Sequence, residues 1–165
     1  MTKRFRSKEI AILLQVLEES YERRAWHGTN LRGSLRGVTA KQASWRPAKN
    51  RHNIWEVTLH CAYWKYIVRR RLLGEKKGSF PLQGSNWFPR PIRESEKAWR
   101  DDIKLLEETH RSLRKAIASI PPSALRKKTS GSTWTTLQTI SGIASHDLYH
   151  AGQIQLLKRL LKKNS

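Results

Sequence analysis

The stretch Gly142-Ile143-Ala144-Ser145-His146-Asp147-Leu148-Tyr149-His150-Ala151-Gly152-Gln153-Ile154 carries the pattern that decides the fold. Around it, Ile140, Ile143, Ile154 and Leu157 recur at the spacing of one helix face, and two histidines stand four residues apart within the same run. One helical turn separates His146 from His150, so their rings project from the same side, the side that Ile143 and Leu157 also occupy. Six histidines scattered at random along the chain give roughly 0.2 pairs at a spacing of four, before a shared inward face is required. Two imidazoles so placed can chelate one metal ion at about 2.1 Å.

Working outward, three more segments show helical periodicity. The first opens after the N-cap Ser7, carries the stripe Ile10, Leu13, Leu14, Leu17 and Tyr21, and is expected to run to near Gly28. The second opens at Asn53, with Glu56 three residues on as a capping box requires. Its stripe is Ile54, Val57, Cys61, Trp64, Val68 and Leu72, and Gly74 stops it. Ser95 caps the third, whose stripe reads Trp99, Ile103, Leu106, His110, Leu113, Ile117 and Ile120 before Pro121-Pro122 ends it. The fourth is expected to follow Ser132 or Thr133 and to reach the C-terminus, with Gly142 and Gly152 allowing close approach of a neighbour. No β-alternation persists long enough to make a strand.

Between these segments lie two long connectors. Residues 29–52 form a connector punctuated by Gly, Thr and Pro residues, with one short turn expected at Thr39–Ser44. The other holds Pro81, Pro89 and Pro91 among Phe80, Trp87 and Phe88, a loop aromatic enough to cover a pocket. Four amphipathic stripes can bury one another only as an all-α four-helix bundle, here a single domain over residues 1–165, and the long connectors permit crossovers.

A third inward histidine comes from the second helix. His60 lies beside Val57 and Cys61 and one turn before Trp64. His60, His146 and His150 thus form a candidate metal set from two helices, leaving a divalent ion at least one open position. Such a site serves hydrolysis or thiol transfer. His110, on the third stripe, is read as a hydrogen-bond partner of the site or a satisfied core residue, with a fourth ligand as the remaining option. His27 and His52 flank helix ends and read as cap or surface residues. Glu56 and Gln153 are candidates to orient the imidazoles, and Asp147 to orient a ring or meet a substrate. Trp64 and Tyr149 are candidates to line a pocket. Cys61 points about 100° away from His60 around the helix and belongs to the core.

Composition bounds the function classes. With 33 Lys+Arg against 13 Asp+Glu, the net charge is +20, a balance that favours polyanions or anionic substrates. Several basic clusters sit where helix C-termini favour cations: Arg23-Arg24, Arg69-Arg70-Arg71, and Lys158-Arg159 with Lys162-Lys163. The single cysteine excludes an internal disulfide and fits a reducing compartment. No apolar run approaches the roughly 20 residues of a membrane span. The basic start is followed by an apolar stretch broken at Gln15, Glu18 and Glu19, with no small-residue cleavage site, so a cytoplasmic protein is expected.

From about Leu17 to Leu161 the chain resembles the DinB/YfiT-like superfamily of metal-binding four-helix bundles. Trp45-Arg46-Pro47 leading into Asn53-Ile54-Trp55-Glu56-Val57 is similar to that family's approach to its second helix. Leu59-His60-Cys61-Ala62-Tyr63-Trp64 matches the place of its first histidine ligand with a following aromatic, and residues 146–154 resemble its His-x-x-x-His-x-Gly-Gln signature. The resemblance implies His60, His146 and His150 as ligands of zinc or nickel, an up-down-down-up helix order and a homodimer. It also implies a small-molecule substrate, because family members of known activity use low-molecular-weight thiols, as in bacillithiol S-transferases and mycothiol-dependent maleylpyruvate isomerase. The expectation is therefore a metal-dependent thiol S-transferase or hydrolase, its anionic thiol drawn to a cationic rim. The strong positive charge departs from the family type. It supports a rival expectation: a non-catalytic basic module that binds nucleic acid or another polyanion, with the metal as a structural pin. No helix-turn-helix or zinc finger is visible to support that rival.

Overall fold

The structure, a computed structural model, describes residues 7–76, 78 and 80–163. The basic start at residues 1–6 and the last two residues of the expected fourth helix lie outside the described residues. Four long α-helices appear, α1 (Lys8–Tyr21), α4 (Ile54–Leu72), α5 (Glu96–Ser119) and α6 (Thr136–Lys163). Two short ones, α2 (Leu31–Ser34) and α3 (Ala40–Ser44), lie between α1 and α4. Among the described residues there is no strand, only an isolated bridge between Lys128 and Thr135. No described helix is long and apolar enough to cross a membrane.

The expected caps form. Ser7 Oγ accepts from the Ile10 amide at 3.3 Å, Asn53 Oδ1 from Glu56 at 2.8 Å and Ser95 Oγ from Ala98 at 3.1 Å. Each satisfies one of the N–H groups a helix start leaves free. Gly74, at φ 69°, follows the end of α4 in a left-handed conformation that a side chain would strain.

Other boundaries differ from expectation. α1 stops at Tyr21, well before Gly28, because Glu22 leaves helical geometry at φ −142° and the Arg23 carbonyl accepts from Asn30 Nδ2 at 2.7 Å. The same Asn30 accepts from the Gly33 amide and so caps α2, a helix the sequence reading did not anticipate. α3 falls where one turn was expected, on a reciprocal Thr39–Gln42 capping box. α6 begins at Thr136 rather than just after Ser132 or Thr133. Thr135 and Gln138 exchange cap bonds there, and the preceding turn is closed by the Thr129 amide donating to the Trp134 carbonyl at 3.0 Å. Gly142 and Gly152 admit no close neighbour: a Cβ on either would meet nothing within 4 Å.

α4 packs against α5 and α6, and α1 packs against the same two helices, which closes the bundle. Its interior holds two apolar clusters. One is built around Leu13, Leu17, Val68, Leu113, Ile117 and Ile140, the other around Trp55, Leu59, Trp99, Leu106 and Ile154, with Leu31, Leu35 and Ala43 from the short helices. Along α4, α5 and α6 the switch from one cluster to the other falls at Lys65, His110 and Asp147, each buried. A polar layer therefore divides the core.

Both long connectors fasten to the first turn of α4 through Glu56, which is buried. Its carboxylate takes two bonds from Arg46, at 2.8 and 2.5 Å, one from the Arg90 amide at 3.2 Å, and faces His52 Nδ1 at 3.0 Å. The side chain does not return to Asn53, so the expected capping box is only half formed. Burial pushes the Glu56 carboxyl up, and the bonds from Arg46, His52 and Arg90 outweigh it, so the group lies below the usual carboxylate range. A lowered folded-state pKa contributes stability in full above the unfolded value and loses it as pH falls toward the folded one. Glu56→Gln should therefore cost about 2 kcal/mol at pH 7. The gap between variant and parent in urea unfolding should narrow as pH drops from 5 to 3; a gap that widened would contradict this role.

Candidate metal centre

His60 projects from α4 toward α6, where His146 and His150 stand one turn apart. The Nε2 atoms of His60 and His150 each lie 3.1 Å from His146 Nε2. His60 and His150 are buried and His146 is half-buried. The structure thus brings together the three histidines singled out in the sequence, with one ligand atom from each within 4.8 Å of the others.

The remaining ring nitrogens decide what can sit between them. His60 Nδ1 lies 2.9 Å from the Asn86 carbonyl oxygen, which can only accept, so Nδ1 carries the hydrogen and Nε2 presents a lone pair. His150 Nδ1 lies 2.7 Å from Gln153 Oε1, whose amide nitrogen donates to the Tyr149 hydroxyl, and the same tautomer follows. His146 Nδ1 has no hydrogen-bond partner among the described residues. A single N–H on His146 Nε2 cannot fully satisfy two facing lone pairs. Three nitrogens that share at most one hydrogen fit a cation at their centre. Burial, opposed by the bond to Asn86 and helped by the His150 and His52 rings, pushes His60 down to about 4; burial and then the His150 and His60 rings push His146 down to about 3. Burial also lowers His150 against the bond to Gln153. The rings are thus neutral near pH 7, the form that ligates a metal.

The loop before α5 supplies the outer wall. Trp87 stacks on His60 at 3.9 Å between centroids and on His52 at 3.6 Å, while Asn86 Oδ1 accepts from Trp64 Nε1 at 2.8 Å. Asn86 takes a positive φ of 64°, a conformation that asparagine tolerates better than most residues. The sequence reading assigned this loop to a pocket but missed Asn86, since a backbone carbonyl acting as acceptor leaves no side-chain signature.

Other expected partners lie elsewhere. Glu56 serves the connectors and does not touch His60. Asp147 orients no imidazole and meets no cleft: it is fully buried and paired with the fully buried Lys65 of α4. Burial pushes the Asp147 carboxyl up, to about 6, although Lys65 works against it. Cys61, His146 and Asp147 form a second close group. There the Cys61 thiol is pushed far up by complete burial and Asp147 is held by Lys65, so this group is poorly suited to compete for a metal. His110 stacks on Tyr21 at 3.7 Å, with its Nε2 3.5 Å from Glu18. Neither of its ring nitrogens has a hydrogen-bond partner among the described residues, and His110 stands apart from the three-histidine group. His27 is exposed and His52 half-exposed, at 48% of its side chain.

Two open clefts border the cluster. One, about 470 Å³, reaches His146 between α4 and α6; the other, about 490 Å³, reaches His150 beside Trp87 and Tyr149.

The sequence profile of the DinB superfamily matches residues 23–154, and the chain belongs to that superfamily. Comparison with curated proteins and with solved structures returns no match.

Removing one partner of the Lys65–Asp147 pair strands a charge in the core. Lys65→Met should lower unfolding free energy by about 3–5 kcal/mol. Lys65→Met/Asp147→Leu should recover most of the loss in the same denaturation measurement.

Proposed function

We propose that the chain is a metal-dependent thiol S-transferase in which His60, His146 and His150 hold one divalent ion, zinc or nickel. The observation that carries the reading is the meeting of two separate clefts at one cluster of neutral imidazoles, since transfer of a thiol to an electrophile needs room for two substrates. A divalent ion held there supplies a Lewis acid that turns a thiol into a nucleophile near neutral pH. The chain's own residues do the rest. Asn86 and Gln153 fix the Nδ1 hydrogens of His60 and His150, which keeps both Nε2 lone pairs turned inward. Trp87 covers His60 and limits water on that side. In the reaction the thiol sulfur forms a bond to an electrophilic carbon as that carbon's bond to its leaving group breaks; the leaving group departs with the electron pair and the thiol proton passes to solvent.

The same reading includes the up-down-down-up helix order. In its support, Trp55 near the start of α4 bonds to Asp102 near the start of α5, and Val68 and Leu113 share a cluster further along, as for parallel helices. Glu18 late in α1 meets His110 and Arg114 late in α5, and Ile10 early in α1 shares a cluster with Ile120 beyond its end, as for antiparallel ones. Tyr63 of α4 lies in a cluster with residues of α6 that come after His150, while Val68 lies with residues that come before His146, so these two helices run oppositely.

Protein purified without a metal-affinity tag should carry close to one zinc or nickel ion per chain, and His60→Ala/His150→Ala close to none, by elemental analysis. Gln153→Leu should weaken metal affinity about 10–100-fold while leaving the fold intact by circular dichroism. Metal-loaded parent should conjugate a low-molecular-weight thiol to an activated electrophile faster than His150→Ala; equal rates would overturn the proposal. The rival reading, polyanion binding, would show as DNA binding with a steep salt dependence that survives loss of the metal.

A further inference from the structure

Resting on the two-substrate reading above, we infer that the cleft beside His146 receives one of the two substrates, and that this substrate is an elongated apolar molecule with an anionic end held by Arg71. Trp64 and Val68 of α4, Ile143 of α6 and Trp134 of the preceding loop make the cleft apolar through its middle. At one end stands His146, whose ring centroid is 6.5 Å from that of Trp64. At the other end stands Arg71, seven residues past Trp64 on the same helix and therefore about 10 Å along its axis.

Arg71 differs from its neighbours in being uncommitted. Arg69 pairs with Glu75 at 2.7 Å and Arg70 donates to the Lys76 carbonyl at 2.9 Å. Arg71 has no carboxylate partner among the described residues, and no Asp or Glu lines the cleft. A half-buried guanidinium at the edge of an apolar wall attracts an anion more strongly than one in open solvent, because low-dielectric surroundings focus its field. The spacing adds a length requirement: an apolar body of about 10 Å spans the distance from the cation to the imidazole cluster. Gly142 shows where the body lies. It borders the cleft, and a Cβ there would meet nothing within 4 Å, so the space above this position is open to a ligand.

The test uses 4-phenylbutyrate and its uncharged analogue 4-phenylbutanol, titrated against the full chain by tryptophan fluorescence, without added metal and with added zinc or nickel. The parent should bind the acid about tenfold more tightly than the alcohol. Arg71→Gln should erase that preference while keeping the alcohol's affinity, and Gly142→Leu should weaken both ligands. Trp134→Ala, at a residue 62% exposed and outside the core, should also weaken both and serves if Gly142→Leu fails to fold. Equal affinity for acid and alcohol in the parent, a preference that survives Arg71→Gln, no saturable binding, or unchanged binding in the folded cleft variants would each overturn the inference. Zinc and nickel content measured on the same samples separates the two readings. Metal bound without discrimination between the ligands overturns the anion site alone; discrimination by a chain that takes up neither zinc nor nickel overturns the metal-dependent reaction alone.

Discussion

A lysine and an aspartate with no solvent contact set the geometry on which the rest of the structure depends. Lys65 and Asp147 are both fully buried, one on α4 and the other on α6. Taking two charges out of water costs several kcal/mol per ion, and the attraction repays it only when the two meet in good geometry. A slip of one helix past the other by a single turn would leave both charges unpaired in an apolar core. Hydrophobic stripes tolerate such a slip far better, because one apolar contact replaces another. The pair therefore acts as a register pin. His60 lies five residues before Lys65, and His146 directly precedes Asp147, so the alignment that satisfies the charges also brings the three imidazoles together.

A second device fixes the wall of the site. Glu56 gathers Arg46 from the first long connector and the Arg90 backbone from the second onto the opening turn of α4. Asn53, the cap of that helix, also donates to the Arg90 carbonyl at 2.7 Å. The second connector is thereby anchored just beyond Trp87, and Asn86 and Trp87 fall on His60 as a result. A loop that would otherwise cost entropy to order is held by charge-assisted bonds at its far end. The chain Arg46, Glu56, His52, Trp87 and His60 runs through successive contacts from a surface guanidinium to the imidazole cluster.

Much of this was legible in the sequence, for identifiable reasons. Periodicity exposed the four long helices because each buries a broad stripe, and side-chain caps at Ser7, Asn53 and Ser95 marked where three of them start. The histidine pair was legible because the i, i+4 spacing is both rare and geometrically determined; His60 was legible from its place beside an apolar stripe. What escaped depends on partners remote in sequence. Lys65 reads as an ordinary solvated cation until Asp147 is known to face it, 82 residues away. Asn86 acts through its carbonyl oxygen, which every residue possesses. Glu56 fitted a local capping role and was drawn instead to Arg46 and Arg90. The end of α1 was misjudged because Gly28 is a good stop signal, while the actual stop is set by Asn30 reaching back to Arg23.

Cys61 adds a consequence of a chemical kind. It is the chain's one thiol, it has no exposed surface, and its burial holds it in the protonated form. Alkylating and oxidising agents act on accessible thiolates, and here there is none. Under the proposed reaction, an electrophile brought into either cleft would meet no reactive thiol of the chain's own, because the packing that seats His60 also encloses Cys61.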